Sequence, residues 1–167
     1  MRLKQFFMPL GIVAALAAGQ AWAEQQSITV EVLAQIPTPG GLQVSPVGDW
    51  GGRVQQMQWD IATQAPKPIV QQLQVKSGLG EIKAYLSNPA EMVSGGDSVA
   101  LDVAVAGQKL GVGASNGAVI ANPTEAAAGR NVGLNISAVA PSSGTYTSGT
   151  YQGTVIMMFE SVAPKAL

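Results

Sequence analysis

The sequence predicts an all-β protein, an antiparallel β-sandwich, from two features of its residue pattern. Apolar residues alternate with small or polar residues over several short segments, which is the pattern of strands with one buried face. Glycine, proline and asparagine separate these segments at short intervals, as they do between the strands of a sandwich. Segments with the period of a helix are almost absent, so we expect two sheets packed around one core.

The chain begins with the pattern of a secretory signal peptide over residues 1–23. Arg2 and Lys4 make the start positive, an apolar run covers residues 6–18, and Ala21 and Ala23 are the small residues that a signal peptidase requires. The apolar run is shorter than the roughly 20 residues of a membrane-spanning helix. We therefore expect export from the cytoplasm and a mature chain that starts near Glu24.

The segment that follows the leader has the pattern of a strand that can detach from its domain. Pro37 and Pro39 interrupt any sheet ladder after it, and Gly40 and Gly41 add a flexible joint. The pattern fits equally a detachable arm over residues 24–37, ahead of a domain over 38–167, and an ordinary first strand. The face of this segment that carries the apolar side chains consists of Ile28, Val30, Val32, Ala34 and Ile36.

The body of the chain contains strand patterns of decreasing clarity. The clearest covers residues 99–105, where valine and leucine share one face and small or acidic residues share the other. The same alternation recurs at 132–136 and 155–159, and the weaker examples are 54–61, with a one-residue slip, 69–75 and 82–86. Residues 124–128 fit a helical turn or a loop, because an alanine-rich stretch ends there at Gly129.

The C-terminal segment predicts a long apolar last strand over residues 149–159. If it is the last strand of an incomplete sheet, its free edge would promote aggregation unless another strand pairs with it. The residues predicted to line a groove along this strand are Tyr151, Gly153, Val155, Met157 and Phe159.

Composition favours a subunit of an assembly. Charged residues make up 11% of the chain and hydrophobic residues 47%, which is little charge for a free monomer and suggests that neighbouring subunits cover part of the surface. Removing Arg2 and Lys4 with the leader lowers the nine basic residues to seven, against ten acidic ones. These basic residues form no cluster that could neutralise phosphates, so nucleic acid is not an expected partner.

The sequence contains no histidine and no cysteine. This excludes Ser-His-Asp and Cys-His catalysis and the common zinc sites. Asp97 with Asp102, or Glu81 with Glu91, could in principle form the carboxylate pair of a glycosidase. Their spacing marks no site, and we interpret them as solvated charges on strand faces. We therefore predict no enzyme activity and no catalytic, metal-binding or cofactor-binding residue.

Five aromatic residues leave one alternative function open. A carbohydrate-binding module or adhesin would use them as a stacking platform, although dispersed aromatic residues more often pack in a core or along strand edges. The residues concerned are Trp50, Trp59, Tyr85, Tyr146 and Tyr151.

Three stretches carry a family resemblance. They are Ser-Ile-Thr-Val at 27–30, Val-Ala-Val-Ala-Gly-Gln-Lys-Leu at 103–110, and the ending at 136–155 that includes Gly-Thr-Tyr-Gln-Gly-Thr-Val. In these stretches, and in their order and total length, the chain resembles the major pilins of colonisation-factor-antigen and coli-surface-antigen fimbriae. This alternate chaperone-usher class also includes the cable pilins, and the resemblance covers essentially the whole mature chain.

The resemblance implies an incomplete immunoglobulin-like β-sandwich that a donor strand completes. It implies a structural shaft subunit that forms a homopolymer by donor-strand exchange and supports adhesion at the cell surface. A periplasmic chaperone would fill the groove first, and the arm of the next subunit would replace it at the outer-membrane usher. A tip adhesin subunit is a further implied partner. Relative to the family pattern, the chain has about one extra residue between the arm and the body. The resemblance therefore does not decide which side chain, near Ile36 and Pro37, enters the last pocket of the groove.

Overall fold

A computed structural model of the chain describes residues 40–163. This part is almost entirely β-structure, with one α-helix, α1 (Pro123–Ala128), and one short 3₁₀ turn at Ala114–Asn116. None of its helices is long and apolar enough to cross a membrane. The strands are β1 (Gln43–Pro46), β2 (Trp59–Asp60), β3 (Ala65–Pro66), β4 (Ile69–Lys76), β5 (Glu81–Leu86), β6 (Glu91–Ser94), β7 (Asp97–Val105), β8 (Gln108–Lys109), β9 (Ala118–Ala121), β10 (Arg130–Ala138) and β11 (Met157–Val162).

The strands form two main antiparallel sheets and one small hairpin. The first sheet has the order β1-β4-β10-β7-β6, with β8 paired to β7. The second sheet has the order β11-β5-β9, and β2 pairs only with β3. The turn between β4 and β5 links the two sheets, and α1 contacts both β4 and β5.

The core consists of the inward faces of both sheets, as expected for a sandwich. The clearest predicted strand is confirmed, because Val99, Leu101, Val103 and Val105 of β7 are all buried. The strands predicted over 132–136, 69–75 and 82–86 correspond to β10, β4 and β5. The most completely buried apolar side chains are Val75, Ile82, Ala84, Val103, Val105, Ala121, Ala126, Val132 and Leu134.

Local chemistry explains two short elements. Ala106 and Gly107 both have positive φ, 52° and 76°, which gives β7 and β8 a tight two-residue turn of the kind that matches strand twist. Helix α1 begins with a capping box: the Glu125 N–H donates to the Asn122 side chain at 2.9 Å, and the Asn122 N–H donates to the Glu125 carboxylate at 3.0 Å. Residues 124–128 are therefore helical and not a loop.

Two predicted strands differ from the structure. The pattern over 54–61 is wrong, because only Trp59 and Asp60 pair with another strand, while Val54 is 97% and Ile61 81% exposed. The neighbouring β3 ends at a proline, which cannot donate to a sheet ladder. The C-terminal strand begins at Met157 and not near Gly149. The segment before it pairs with the first sheet instead, where Gln152 lies opposite Val93 of β6.

Candidate subunit interface

Strand β11 forms one edge of the second sheet. It pairs with β5 along its whole length, from Met157 opposite Leu86 to Val162 opposite Glu81. Within residues 40–163, no strand pairs with its other edge. Such an edge presents backbone N–H and C=O groups that an added strand can use.

The side chains next to this edge are only half-buried. Val155, Met157 and Phe159 pack against the core, yet none of them is enclosed. The edge strand β9 of the second sheet contacts β8, which lies on the β7 side of the first sheet. The other edge strands, β11 of the second sheet and β1 of the first, therefore lie together on the opposite side of the sandwich. On the β1 side, Leu42 and Val44 are half-buried against the same core. We call the space between β1 and the free edge of β11 the groove.

A pair of serines fixes the C-terminal end of β11. The Ser77 side chain is 1% exposed, and its hydroxyl lies 2.6 Å from the Ser161 hydroxyl, close enough for a hydrogen bond in either direction. The Leu79 N–H donates to the same Ser77 oxygen at 3.1 Å. At Gly80, whose φ is 154°, a Cβ atom would lie 2.0 Å from the Val162 carbonyl oxygen. The groove thus has a polar end at the turn between β4 and β5 and an apolar course beside Phe159 and Met157.

The five residues predicted to line the C-terminal side of the groove divide into two places. Val155, Met157 and Phe159 lie together against the core. Tyr151 and Gly153 lie beside β6 instead. Gln152, which lies between them, exchanges two backbone hydrogen bonds with Val93 of β6, at 2.9 and 3.0 Å. The chain then crosses to the second sheet before β11 begins, so Tyr151 and Gly153 do not lie along the free edge of β11.

The predicted leader and arm lie outside the described residues. Residues 1–23, the arm side chains Ile28, Val30, Val32, Ala34 and Ile36, and the proposed boundary at residue 37 therefore remain predictions. Sequence reasoning missed the β1 side of the groove and the Ser77–Ser161 pair. The alternation Leu42-Gln43-Val44-Ser45 was the signal that could have identified β1.

The structure does not bring the candidate carboxylate pairs together. Asp97 and Asp102 lie five positions apart on β7, and an odd separation places them on opposite faces of the strand. Glu81 is in β5 of the second sheet, whereas Glu91 is in β6 of the first. The described part of the chain also contains no group of three or more acidic side chains that could hold a metal ion.

The aromatic residues considered for carbohydrate binding are also dispersed. Trp59 and Tyr146 meet edge to face, with ring centroids 5.7 Å apart. Trp50 donates from its indole nitrogen to the Gln72 carbonyl at 3.2 Å, and the Tyr151 hydroxyl donates to a loop carbonyl at 3.0 Å. Tyr85 belongs to β5, so these five rings do not form one platform.

A surface pocket of about 300 Å³ lies on the outer side of the first sheet. Its lining is polar and comes from β1, β4 and the end of α1. These side chains alternate with the inward-facing Val44 and Val75, so the pocket lies on the opposite side of the sheet from the core. It therefore does not extend the groove. The lining residues are Gln43, Ser45, Gln74, Lys76, Ala128 and Gly129.

Comparison with protein families identifies the chain. The family described as the CS1 type fimbrial major subunit matches residues 25–160. The chain belongs to the CS1-type fimbrial major subunit family. The resemblance noted in the three sequence stretches is thereby confirmed, and the protein is a structural pilus subunit that assembles with copies of itself in a fimbria at the cell surface.

A solved structure supports the same fold. The CooA pilin subunit from enterotoxigenic Escherichia coli superposes with a TM-score of 0.55 over 70% of this chain and 86% of that chain, at 17% sequence identity. The predicted all-β, immunoglobulin-like sandwich of a pilin is therefore confirmed. No curated protein matches the sequence.

Proposed function

We propose that this protein is the major shaft subunit of its fimbria and that its subunits join by donor-strand exchange. In this mechanism, the arm of one subunit lies along the free edge of β11 in the next. The observation that carries the proposal is the half-buried row Val155, Met157 and Phe159 beside an edge with no partner among the described strands. An inserted strand would cover this row and complete the second sheet.

The apolar face of the arm suits this groove. Ile28, Val30, Val32, Ala34 and Ile36 would enter it, and each larger side chain would contribute about 1.5–3 kcal/mol on burial. Each backbone hydrogen bond to β11 would add about 0.5–1.5 kcal/mol. Because many contacts must break together, the joint should dissociate very slowly.

The same edge explains the other partners that we propose. A subunit with an open groove would aggregate before it meets the next arm, because an unpaired apolar edge can pair with any strand. A periplasmic chaperone would cover the groove after export, and the outer-membrane usher would exchange it for the arm. We further propose a tip adhesin at the end of the shaft, a supporting role in adhesion for the shaft, and no catalytic role for this subunit.

The test is a matched pair of arm variants, Val30→Asp and Thr29→Asp. Val30 belongs to the apolar face of the arm, and a carboxylate there would enter the groove at a cost of several kcal/mol. Thr29 faces away, so the same charge should cost little. We expect Val30→Asp to abolish the heat-resistant ladder of multimers on gels and the fibres seen by electron microscopy, whereas Thr29→Asp retains both.

The subunit body serves as the internal control. Both variants should still be recovered from the periplasm with the chaperone, because the arm belongs to the sandwich of a neighbour. Fibres of normal length from Val30→Asp would show that residues 27–36 are an ordinary first strand, and donor-strand exchange would then be wrong.

A further inference from the structure

Among the exposed apolar side chains outside the groove, two sets lie in loops at the two ends of strand β4. One is the β2–β3 hairpin, where Trp59 is 48% and Ile61 81% exposed. Tyr146 contacts Trp59 there, and we call these three residues the hairpin patch. The other is the turn between β4 and β5, where Leu79 is 57% exposed. A cluster of apolar side chains such as the hairpin patch can mark a contact with another protein, and Leu79 is an apolar side chain of a size that can pack against it.

The two places lie at opposite ends of the sandwich. The hairpin patch precedes the start of β4, where Ile69 pairs with Ile136, and this end corresponds to the Met157 end of β11. Leu79 lies at the other end, because its neighbour Gly80 packs against the Val162 carbonyl. A straight stack of identical subunits would therefore bring Leu79 of one copy toward the hairpin patch of the next.

The proposed arm limits how far apart two joined bodies can lie. Its apolar face ends at Ile36, and the described body begins at Gly40. Four extended residues span at most about 14 Å. Gly40 also lies beside the turn that carries Leu79, because the Gly78 N–H donates to the Gly40 carbonyl at 2.9 Å. The turn of the donor subunit must therefore lie close to the groove end from which its arm emerges.

The direction of the arm decides which end that is. Every pairing between the strands of the two main sheets is antiparallel, and antiparallel pairing is slightly more stable for each residue. β11 runs from Met157 to Val162. The first residues of an antiparallel arm therefore lie beside Val162 and its last residues lie beside Met157. The body of the donor subunit follows the arm at the Met157 end, which is also the end of the hairpin patch.

We propose that Leu79 of each subunit packs against the hairpin patch of the next copy, as a second contact beside the donor strand. This inference rests on the donor-strand mechanism proposed above. The contact is head to tail, so repetition along the chain generates a fibre instead of a closed dimer. It would hold the bodies in a fixed orientation across a linker that contains two prolines and a glycine.

Disulfide trapping tests the contact directly, because the natural sequence contains no cysteine. The test variant combines Ile61→Cys with Leu79→Cys, and the control combines Val119→Cys with Leu79→Cys. Val119 is 43% exposed on β9, the far edge of the second sheet. Disulfides require Cβ atoms about 3.5–4.5 Å apart. After oxidation of intact fibres and full denaturation, we expect covalent multimers from the test variant and monomers from the control.

Formation of the fibres is scored before oxidation, so the two proposals fail separately. Intact fibres without a disulfide in the test variant, or with equal trapping in both variants, would overturn the Leu79 contact and leave donor-strand exchange standing. A parallel arm would also leave the test pair apart. If the cysteine variants do not assemble, Ile61→Lys with Leu79→Asp gives the same test: each single variant should yield fibres that fragment more readily, and the double variant should recover wild-type length. Failure of the double variant to recover would overturn the contact.

Discussion

Strands β5 and β11 are antiparallel neighbours in the second sheet, yet the side chains on their inward faces differ in burial. In β5, Ile82 and Ala84 are 0% exposed and Leu86 is 4% exposed. In β11, Met157 and Phe159 are only half-buried, and the outward Met158 is 44% exposed. Met157 and Phe159 are apolar side chains like Ile82 and Leu86, so polarity does not explain why they are less buried.

The number of neighbouring strands explains it. β5 has β9 on one side and β11 on the other, whereas β11 has only β5 among the described strands. A strand with two neighbours has its inward side chains enclosed from both sides, and a strand with one neighbour leaves a flank open. Among the described residues, the core is thus enclosed at β5 and open at β11, which is where we propose that the donor strand binds.

The largest expected effect comes from supplying that partner within the same chain. A variant that lacks residues 24–36 at its start and carries them after Ala163, through a short flexible linker, should fill its own groove. A net gain of about 5 kcal/mol from the buried arm would raise Tm by roughly 10–20 °C for a domain of this size. Size-exclusion chromatography should show a monomer, and thermal melting should show the shift.

A charged copy of the appended strand provides the control. With Val30→Asp in the moved segment, the strand should no longer enter the groove, and the Tm should return toward that of the body alone. Equal melting temperatures for the two variants would mean that the appended strand does not bind at β11.

The next effect separates the two strands directly through Ile82→Ala and Phe159→Ala. Ile82 is enclosed already in the single subunit, so its truncation should cost about 2–5 kcal/mol with or without the arm. In the proposed joint, Phe159 would be enclosed only when the arm covers it, so its truncation should cost clearly more in the self-complemented chain than in the body alone. Urea unfolding of both variants in both backgrounds measures the four values. Equal costs for Phe159→Ala in the two backgrounds would show that the arm does not cover this side chain.

The sequence predicted those parts of the fold that depend on local alternation. Residues 99–105 were predictable because each inward side chain is buried and the two-residue period is unbroken. The same alternation within 155–159 correctly placed Val155, Met157 and Phe159 on one side. The pattern over 54–61 failed because apolar residues occur there in a loop and a short hairpin, where exposed Val54 and Ile61 carry no strand period.

The rest depended on contacts between distant parts of the chain. Ser77 and Ser161 are 84 positions apart, and no local pattern links them. The crossing before β11 depends on the pairing of Gln152 with Val93 in another sheet. An apolar run from 149 to 159 reads as one strand until its two different partners are known. The family resemblance supplied the idea of an open groove, and the sheet order then located its free edge at β11.

The smallest expected effect concerns helix α1, whose main contacts are with β4, β5 and β9. The Asn122 N–H is the main cause that lowers the pKa of Glu125 below its ordinary value of 4.5, and Arg130 adds to it through a hydrogen bond and its charge. A group whose folded-state pKa is lowered stabilises the fold above its unfolded-state pKa, and this contribution disappears as the pH falls through the folded-state pKa.

Glu125→Gln keeps a capping amide but removes the charge. We expect its free energy of unfolding to be slightly lower than that of wild type at neutral pH, with the difference shrinking below about pH 4.5. Fibre length should be unchanged, because the substitution alters the complete side of the sandwich and not the groove; a loss of assembly at unchanged subunit stability would place the helix in the joint and contradict the separation between the two regions.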